Sequence, residues 1–165
     1  MIITPLLVIF LIVVFILLFL FLNTVDKRKW LSGIISLILT PFAFFYIFYP
    51  FLNIISTYHY EKYFDSDAWI EKPALRYEMI DHTVTSDTLM TASKKQITTL
   101  LGEAEWLTWD EAKNTHNTNK WNYGLGIKPG AFTEERECVE ITFKNDTVVA
   151  LKTYQEDITF ENENE

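Results

Sequence analysis

Two long apolar runs joined by a short basic link constrain this chain more than any other feature of its sequence. Residues 2–22 contain no charged side chain. A helix over them, at about 1.5 Å per residue, reaches about 32 Å, enough for a hydrocarbon core of roughly 30 Å. Residues 30–55 also lack charge, although Pro41 and Pro50 should bend a helix there because each lacks a backbone donor. The sequence therefore predicts a transmembrane hairpin over residues 1–57, with helices at about 2–22 and 30–55.

The distribution of charge around the two runs predicts their orientation. The link, residues 23–29, carries three cations against one carboxylate, whereas residues 58–67 carry three carboxylates against one cation. Short loops rich in Lys and Arg remain in the cytoplasm, so we expect everything after about residue 57 to lie outside it. The first run has neither a basic start nor a small-residue cleavage site, which indicates an uncleaved anchor rather than a signal peptide.

The charge and cysteine content of the remainder exclude some functions. Without the link, the chain carries 11 Lys and Arg against 21 Asp and Glu, a net charge of −10. We therefore expect no nucleic-acid partner, because duplex binding depends on cations that neutralise phosphates. Cys138 is the only cysteine, so no intramolecular disulfide can form and the domain must be held by its own core.

Helical signals dominate the first half of the soluble region. Residues 58–72 are aromatic and charged without a clear period, which is typical of a juxtamembrane connector. Pro73 suits a helix start, and apolar residues at helical spacing predict a helix over residues 73–85. Ser93 and Gln96 have the spacing of a capping box, and they predict a second, short helix that ends at Gly102 as a left-handed cap.

From Trp121 onward the apolar period changes to two. Three strands are predicted, over residues 121–125, 137–143 and 147–154. Residues 114–120 contain no apolar side chain and are expected to form a flexible loop tip. Asn145 and Asp146 fit a tight hairpin between the last two strands, and residues 156–165 form an acidic, frayed tail. The predicted fold is a membrane-anchored α+β protein, in which residues 73–155 pack two helices on one face of a three-stranded antiparallel sheet.

Three segments of this region carry a resemblance to a known family. They are Leu-Met-Thr-Ala-Ser-Lys-Lys-Gln-Ile-Thr-Thr-Leu-Leu-Gly at residues 89–102, Trp-Asn-Tyr-Gly-Leu-Gly at 121–126 and Val-Glu-Ile-Thr-Phe-Lys-Asn-Asp-Thr-Val-Val at 139–149. Over about residues 76–154 the chain resembles the SmpA/OmlA (BamE-like) domain family, with a two-helix anchor in place of that family's lipid anchor. The resemblance implies a small extracytoplasmic module that contacts other envelope proteins. Together with the predicted hairpin and its orientation, the resemblance implies a multi-pass protein of the bacterial inner membrane with a periplasmic C-terminal domain.

Residues that could carry chemistry are scattered along the chain. His59, His82 and His116 belong to different predicted elements and have no metal-site spacing. Cys138 falls on the strand face opposite Val139, which leaves its exposure open, and no basic neighbour in sequence would lower its pKa. We therefore expect no catalytic residue, no metal and no cofactor.

The tryptophans are the best candidates for partner binding. Trp121 and Tyr123 are expected in the core. Trp106 and Trp109 lie near a polar stretch, and the sequence alone leaves open whether they are core residues or the anchors of a protein interface.

Two functions from different classes follow. The preferred hypothesis is a non-enzymatic, membrane-anchored protein-interaction module for envelope assembly or maintenance, with another envelope protein as partner and no small-molecule substrate. The alternative is a small membrane enzyme or transporter accessory subunit, with its site at the membrane boundary near residues 58–61. Neither apolar run contains a charge, which argues against an ion or proton path through the membrane.

Overall fold

The computed structural model describes residues 1–158, which divide into two compact units. The first unit consists of residues 1–60 with residues 129–131, and the second contains residues 61–128 and the chain from Phe132 onward. Of the predicted acidic tail, residues 159–165 lie outside the described part.

The first unit contains two helices that are long and apolar enough to cross a membrane. The first is α1 (Pro5–Val25), which starts where the Thr4 side chain accepts a hydrogen bond from Leu7 N, with proline at its first position. The second spans Lys29–Ile55 and consists of α2 (Lys29–Ala43), a π-helical turn (Phe44–Phe48) and α3 (Tyr49–Ile55). The π turn lies between Pro41 and Pro50, where each proline removes a backbone donor from the regular ladder.

A stripe of small polar residues is buried along α2. Ser32, Ser36 and Thr40 follow one another at intervals of four residues and are buried. The Ser36 hydroxyl donates to the Ser32 carbonyl at 2.7 Å, and the Thr40 hydroxyl donates to the Ser36 carbonyl at 2.7 Å. The Ser32 hydroxyl donates to the Asp26 carbonyl in the link before the helix, at 3.2 Å. The small size of the three residues permits close helix packing, and all three hydroxyls have hydrogen-bond acceptors on the backbone.

The second unit begins with short helices. They are α4 (Ser66–Glu71), a 3-10 turn (Pro73–Leu75), α5 (Tyr77–Thr85) and α6 (Lys94–Leu101). The residues predicted as a connector therefore include a helix, which starts where Asp65 accepts a hydrogen bond from Ala68 N at 2.8 Å and which buries Trp69 completely. The helix predicted from residue 73 is divided, and its α-helical part starts at Tyr77.

The caps of α6 match the prediction at the N-terminal end of the helix but not at the C-terminal end. The Ser93–Gln96 capping box is present with both of its hydrogen bonds, as predicted. Gly102 has a positive φ of 85°, but its ψ of −175° is extended. The predicted left-handed helical cap is therefore wrong, although the position still requires a residue that tolerates positive φ.

The sheet has four antiparallel strands in the order β1-β2-β3-β4. They are β1 (Trp106–Asp110), β2 (Thr115–Gly126), β3 (Glu135–Lys144) and β4 (Thr147–Asp157). The predictions of three strands and of a flexible loop tip at residues 114–120 are both wrong, because residues 115–120 extend β2, which pairs with the unpredicted β1. Backbone hydrogen bonds between β1 and β2 stabilise residues 115–120 as a strand, although these residues have no apolar side chains.

The turn between β3 and β4 has the predicted tight form. Asn145 and Asp146 have φ values of 51° and 64°. Positive φ at both central residues is the geometry that matches the twist of the flanking strands. The prediction of a hairpin at this position is confirmed.

One face of the sheet builds the core with the helices. Its fully buried side chains include Tyr123, Leu125, Val139 and Ile141, which cluster with Trp69, Ile80, Ile97 and Leu101 from the helices. Trp121 packs at the margin of this cluster. The arrangement is an α+β fold in which helices cover one sheet face and leave the other face open.

A buried arginine ties the helices to the sheet. Arg76 Nε donates to the Trp69 carbonyl at 2.8 Å, and Nη1 donates to the Gly124 carbonyl at 2.9 Å and to Glu105 Oε1 at 2.5 Å. The other Glu105 oxygen accepts from Gly124 N at 2.8 Å, and a side chain at Gly124 would press on it. Glu105 thereby joins the start of β1 to β2.

Candidate partner-binding face

Strand β1 places both candidate tryptophans on or beside the open face of the sheet. Trp106 pairs in register with Asn122, and the Arg136 guanidinium lies 5.0 Å from the centre of its ring. Trp109 is 49% exposed, and its ring meets His116 edge to face at 5.0 Å. Neither tryptophan belongs to the buried core cluster.

The open face forms a shallow groove of about 550 Å³. Its walls and floor include Trp106, Trp109, Lys120, Glu140, Lys152 and Tyr154. The groove exists because strand register aligns Trp106, Asn122, Glu140 and Lys152 in one row across all four strands. Residues in such a row project from the same side of the sheet.

A chain of hydrogen bonds forms the floor of the groove. The Tyr154 hydroxyl donates to Asn122 Oδ1 at 2.9 Å, and Asn122 Nδ2 donates to Thr108 Oγ1 at 2.9 Å. Thr108 donates in turn to Glu140 Oε2 at 2.6 Å, while Lys120 Nζ donates to Glu140 Oε1 at 3.0 Å. Asn122 is buried at the centre of this chain. Connected polar groups of this kind hold one another in place, so the floor is preorganised.

Burial, hydrogen bonds and neighbouring charges shift the pKa values of Glu140 and Tyr154 in the floor of the groove. Burial acts to raise the pKa of Glu140, but hydrogen bonds from Thr108 and Lys120 and the charge of Lys152 outweigh it and hold that pKa below its usual value. Burial also raises the pKa of Tyr154, with further contributions from Glu156 and Cys138. Near neutral pH, Glu140 therefore stays an acceptor and Tyr154 stays a donor.

The face differs in charge from the rest of its domain. It carries Lys120, Arg136 and Lys152 against Glu140 and Glu156. Arg136 pairs with Glu156 at 2.7 Å, and Lys120 pairs with Glu140 at 3.0 Å. The open face therefore does not share the strongly negative charge of the soluble region, and it would not repel an acidic partner as the remaining surface would.

Cys138 lies on the open-face side of β3 but is fully buried. It pairs in register with Tyr154 on β4 and with Gly124 on β2. Burial raises the pKa of its thiol to about 11, with a further contribution from Glu156. This thiol is therefore protonated and inaccessible at neutral pH, the opposite of what a nucleophile requires.

The three histidines remain on separate elements. His82 stacks edge to face with Tyr63 at 4.8 Å, and His116 contacts Trp109. The ring of His59 lies next to the Thr57 carbonyl at 3.1 Å. Within residues 1–158, the structure has no group of three or more His, Cys, Asp or Glu side chains that could hold a metal ion.

The membrane-boundary residues of the alternative hypothesis pack against aromatic rings. Tyr58 lies 4.8 Å from Phe10 and 6.2 Å from Tyr49, and Tyr60 lies 5.4 Å from Tyr49. These contacts within the first unit give both tyrosines a packing role.

Sequence reasoning identified the two tryptophans but missed the groove floor. Thr108, Asn122, Glu140 and Tyr154 gave no motif signal. The usable signal was the alternation of polar and apolar residues along β2 and β3, which places Asn122 and Glu140 opposite the core face.

Comparison of the chain with protein families, with curated proteins and with solved structures gave no match.

Proposed function

We propose that this chain is a non-enzymatic, membrane-anchored protein-interaction module that presents the open face of its sheet to another envelope protein. The observation that carries the proposal is the preorganised groove bordered by Trp106 and Trp109. Tryptophans with partly exposed rings over a fixed surface are typical anchors of protein interfaces, where few residues dominate the binding energy.

The helical hairpin supplies the anchor in this proposal. Only Leu7 and Val14 are buried along α1, while most of its large apolar side chains are exposed. A core helix of a soluble protein would bury such side chains, whereas a lipid-facing helix leaves them for the bilayer. The basic link then favours a cytoplasmic position for residues 23–29 and a position outside the cytoplasm for the domain.

The cellular setting is proposed from the resemblance to the SmpA/OmlA (BamE-like) family. It supports a bacterial inner-membrane protein with its domain in the periplasm and a role in envelope assembly or maintenance. The anchor differs from the lipid anchor of that family, so the interaction face would be held at the inner membrane.

Crosslinking of intact membranes followed by affinity purification of the full chain would test the interaction. The partner captured by the natural chain should be lost or strongly reduced with Trp106→Ala or Trp109→Ala. Anchors of this type contribute about 2 kcal/mol or more, which corresponds to roughly thirtyfold in affinity. Val149→Ala is the matched control, because Val149 is 44% exposed on β4 and lies outside the groove.

Unchanged urea midpoints would establish that the tryptophan variants are folded. The module hypothesis also expects full partner capture after single removal of His59, His82, His116 or Cys138. A folded Trp106→Ala, Trp109→Ala double variant that captures the same partner at the natural level would contradict the proposed face.

A further inference from the structure

The β2–β3 loop, residues 127–134, exposes large apolar side chains in the two parts of it that belong to the second unit, residues 127–128 and 132–134. Phe132 is 91% exposed, and Ile127 is exposed as well. The cation of this loop, Lys128, pairs with Glu137 of β3 at 3.2 Å. Single exposed apolar residues are normal on a protein surface, so the position of these two in the domain decides what they indicate.

The base of the loop lies at the same end of the domain as the start of its chain. Lys62 N donates to the Glu78 carbonyl at 2.7 Å, and Lys62 Nζ pairs with the Glu78 carboxylate at 2.5 Å. Glu78 belongs to the first turn of α5, directly after the 3-10 turn Pro73–Leu75. That turn crosses the base of the loop so closely that a side chain at Gly126 would overlap the Ala74 backbone. We call this end of the domain the proximal end.

The proximal end exposes large apolar side chains next to charged ones, whereas the turn at the opposite, distal end exposes polar side chains. Leu75, which follows Ala74 in the turn at the loop base, is exposed. The distal end is the β3–β4 turn, where Asn145 and Asp146 are exposed and Lys94 N donates to the Asp146 carbonyl at 3.2 Å. The ten residues of β3 separate the two ends by about 30 Å.

We propose that the β2–β3 loop inserts Phe132 and Ile127 into the lipid interface and so clamps the proximal end of the domain to the bilayer. This inference rests on the membrane anchorage of the proposed function. Lys62 follows the last residue of α3, Ile55, by only seven residues, which span at most about 23–25 Å. In the proposed anchorage this tether keeps the domain close to the bilayer at all times, whereas a partner protein would have to be recruited.

The charge of the loop indicates whether it would contact lipid through electrostatic or through apolar interactions. Glu134 ends the loop and Glu135 begins β3, and both would be repelled by anionic headgroups. The attraction is therefore apolar, as expected for an aromatic ring at the level of the headgroups. Binding should not require anionic lipid.

The full chain in phosphatidylcholine nanodiscs, with Cys138→Ser as background, allows a direct test. An environment-sensitive fluorophore would be attached at Phe132→Cys, at Asn145→Cys as the distal control and at Leu17→Cys as the control for the spanning helix. Lipids with a nitroxide near the headgroup or deep in the acyl chain serve as quenchers. We expect blue-shifted emission and quenching by the shallow nitroxide at position 132, quenching by the deep nitroxide at position 17, and neither change at position 145.

The outcomes separate this inference from the proposed anchorage. A label that is quenched at position 17 but not at position 132 would overturn loop insertion and leave the anchorage intact. Absence of quenching at position 17 would overturn both. A second labelling site excludes insertion driven by the fluorophore itself. A label at Ile127→Cys should lose its quenching when Phe132→Asp is added. Persistent quenching at position 127 would refute the role of Phe132.

Discussion

Replacement of Arg76 by alanine should destabilise the soluble domain more than replacement of any surface cation. The change removes the donors to the Trp69 and Gly124 carbonyls and leaves the Glu105 carboxylate without its cation. A buried acceptor without a partner costs about 1–3 kcal/mol. Breaking a fully buried ion pair costs about 3–5 kcal/mol.

The Glu105 side chain is 39% exposed, so water would recover part of the lost interaction. We therefore expect a loss of about 3 kcal/mol, against a total stability of roughly 5–15 kcal/mol for a domain. With a urea dependence of about 1–2 kcal/mol per molar, the unfolding midpoint should fall by about 1.5–3 M.

Urea titration of the full chain in detergent micelles, followed by tryptophan fluorescence, would measure this shift, because Trp69 is fully buried against the Arg76 guanidinium. Arg136→Ala is the matched control. Its side chain is 47% exposed and its ion pair with Glu156 lies at the surface, so the expected loss is at most about 1 kcal/mol. If the two variants shift the midpoint equally, Arg76 does not join the helices to the sheet as we infer.

Three further predictions test the core, the thiol and the topology. Leu101→Asp should unfold the domain, because a charge would enter the helix–sheet core at a cost of several kcal/mol, whereas Thr99→Asp on the exposed side of the same helix should leave the thermal midpoint nearly unchanged. Cys138 should be alkylated at pH 8 at least about 100-fold more slowly in the folded chain than after denaturation, because a pKa of about 11 leaves little thiolate, and rapid labelling of the folded chain would contradict its burial. The raised pKa also means that this thiol stabilises the fold below about pH 9 and that the contribution is lost as the pH rises towards 11, so Cys138→Ala should reduce the loss of stability over that range. A reporter active only outside the cytoplasm should be active when fused after Glu165 and silent within residues 23–29, and the reverse pattern would invert the proposed orientation.

Local signals predicted those parts of the fold that depend on neighbours in sequence. Ser93 and Gln96 cap α6 because both lie within one turn of its start. Asn145 and Asp146 form the hairpin because they tolerate positive φ. The alternation at Val139 and Ile141 identified the core face because a strand has a period of two.

The parts that were missed depend on contacts between distant residues. The start of β2, residues 115–120, has no apolar side chain, and it is a strand because β1 supplies its hydrogen-bonding partner. Cys138 is likewise buried among residues distant in sequence, with Tyr154 directly opposite it on β4. Alternation along β3 alone gives the face of a residue but does not reveal what covers it.

The same register that builds the core also builds the proposed binding face. A slip of one residue between β2 and β3 would turn Asn122 towards the helices and Tyr123 towards solvent, which the apolar core opposes strongly. The apolar side chains on one face therefore fix the row that joins Trp106, Asn122, Glu140 and Lys152 on the other. For this reason a change confined to Asn122 should disturb the groove without moving the strands, whereas a change in Ile141 should disturb both faces together.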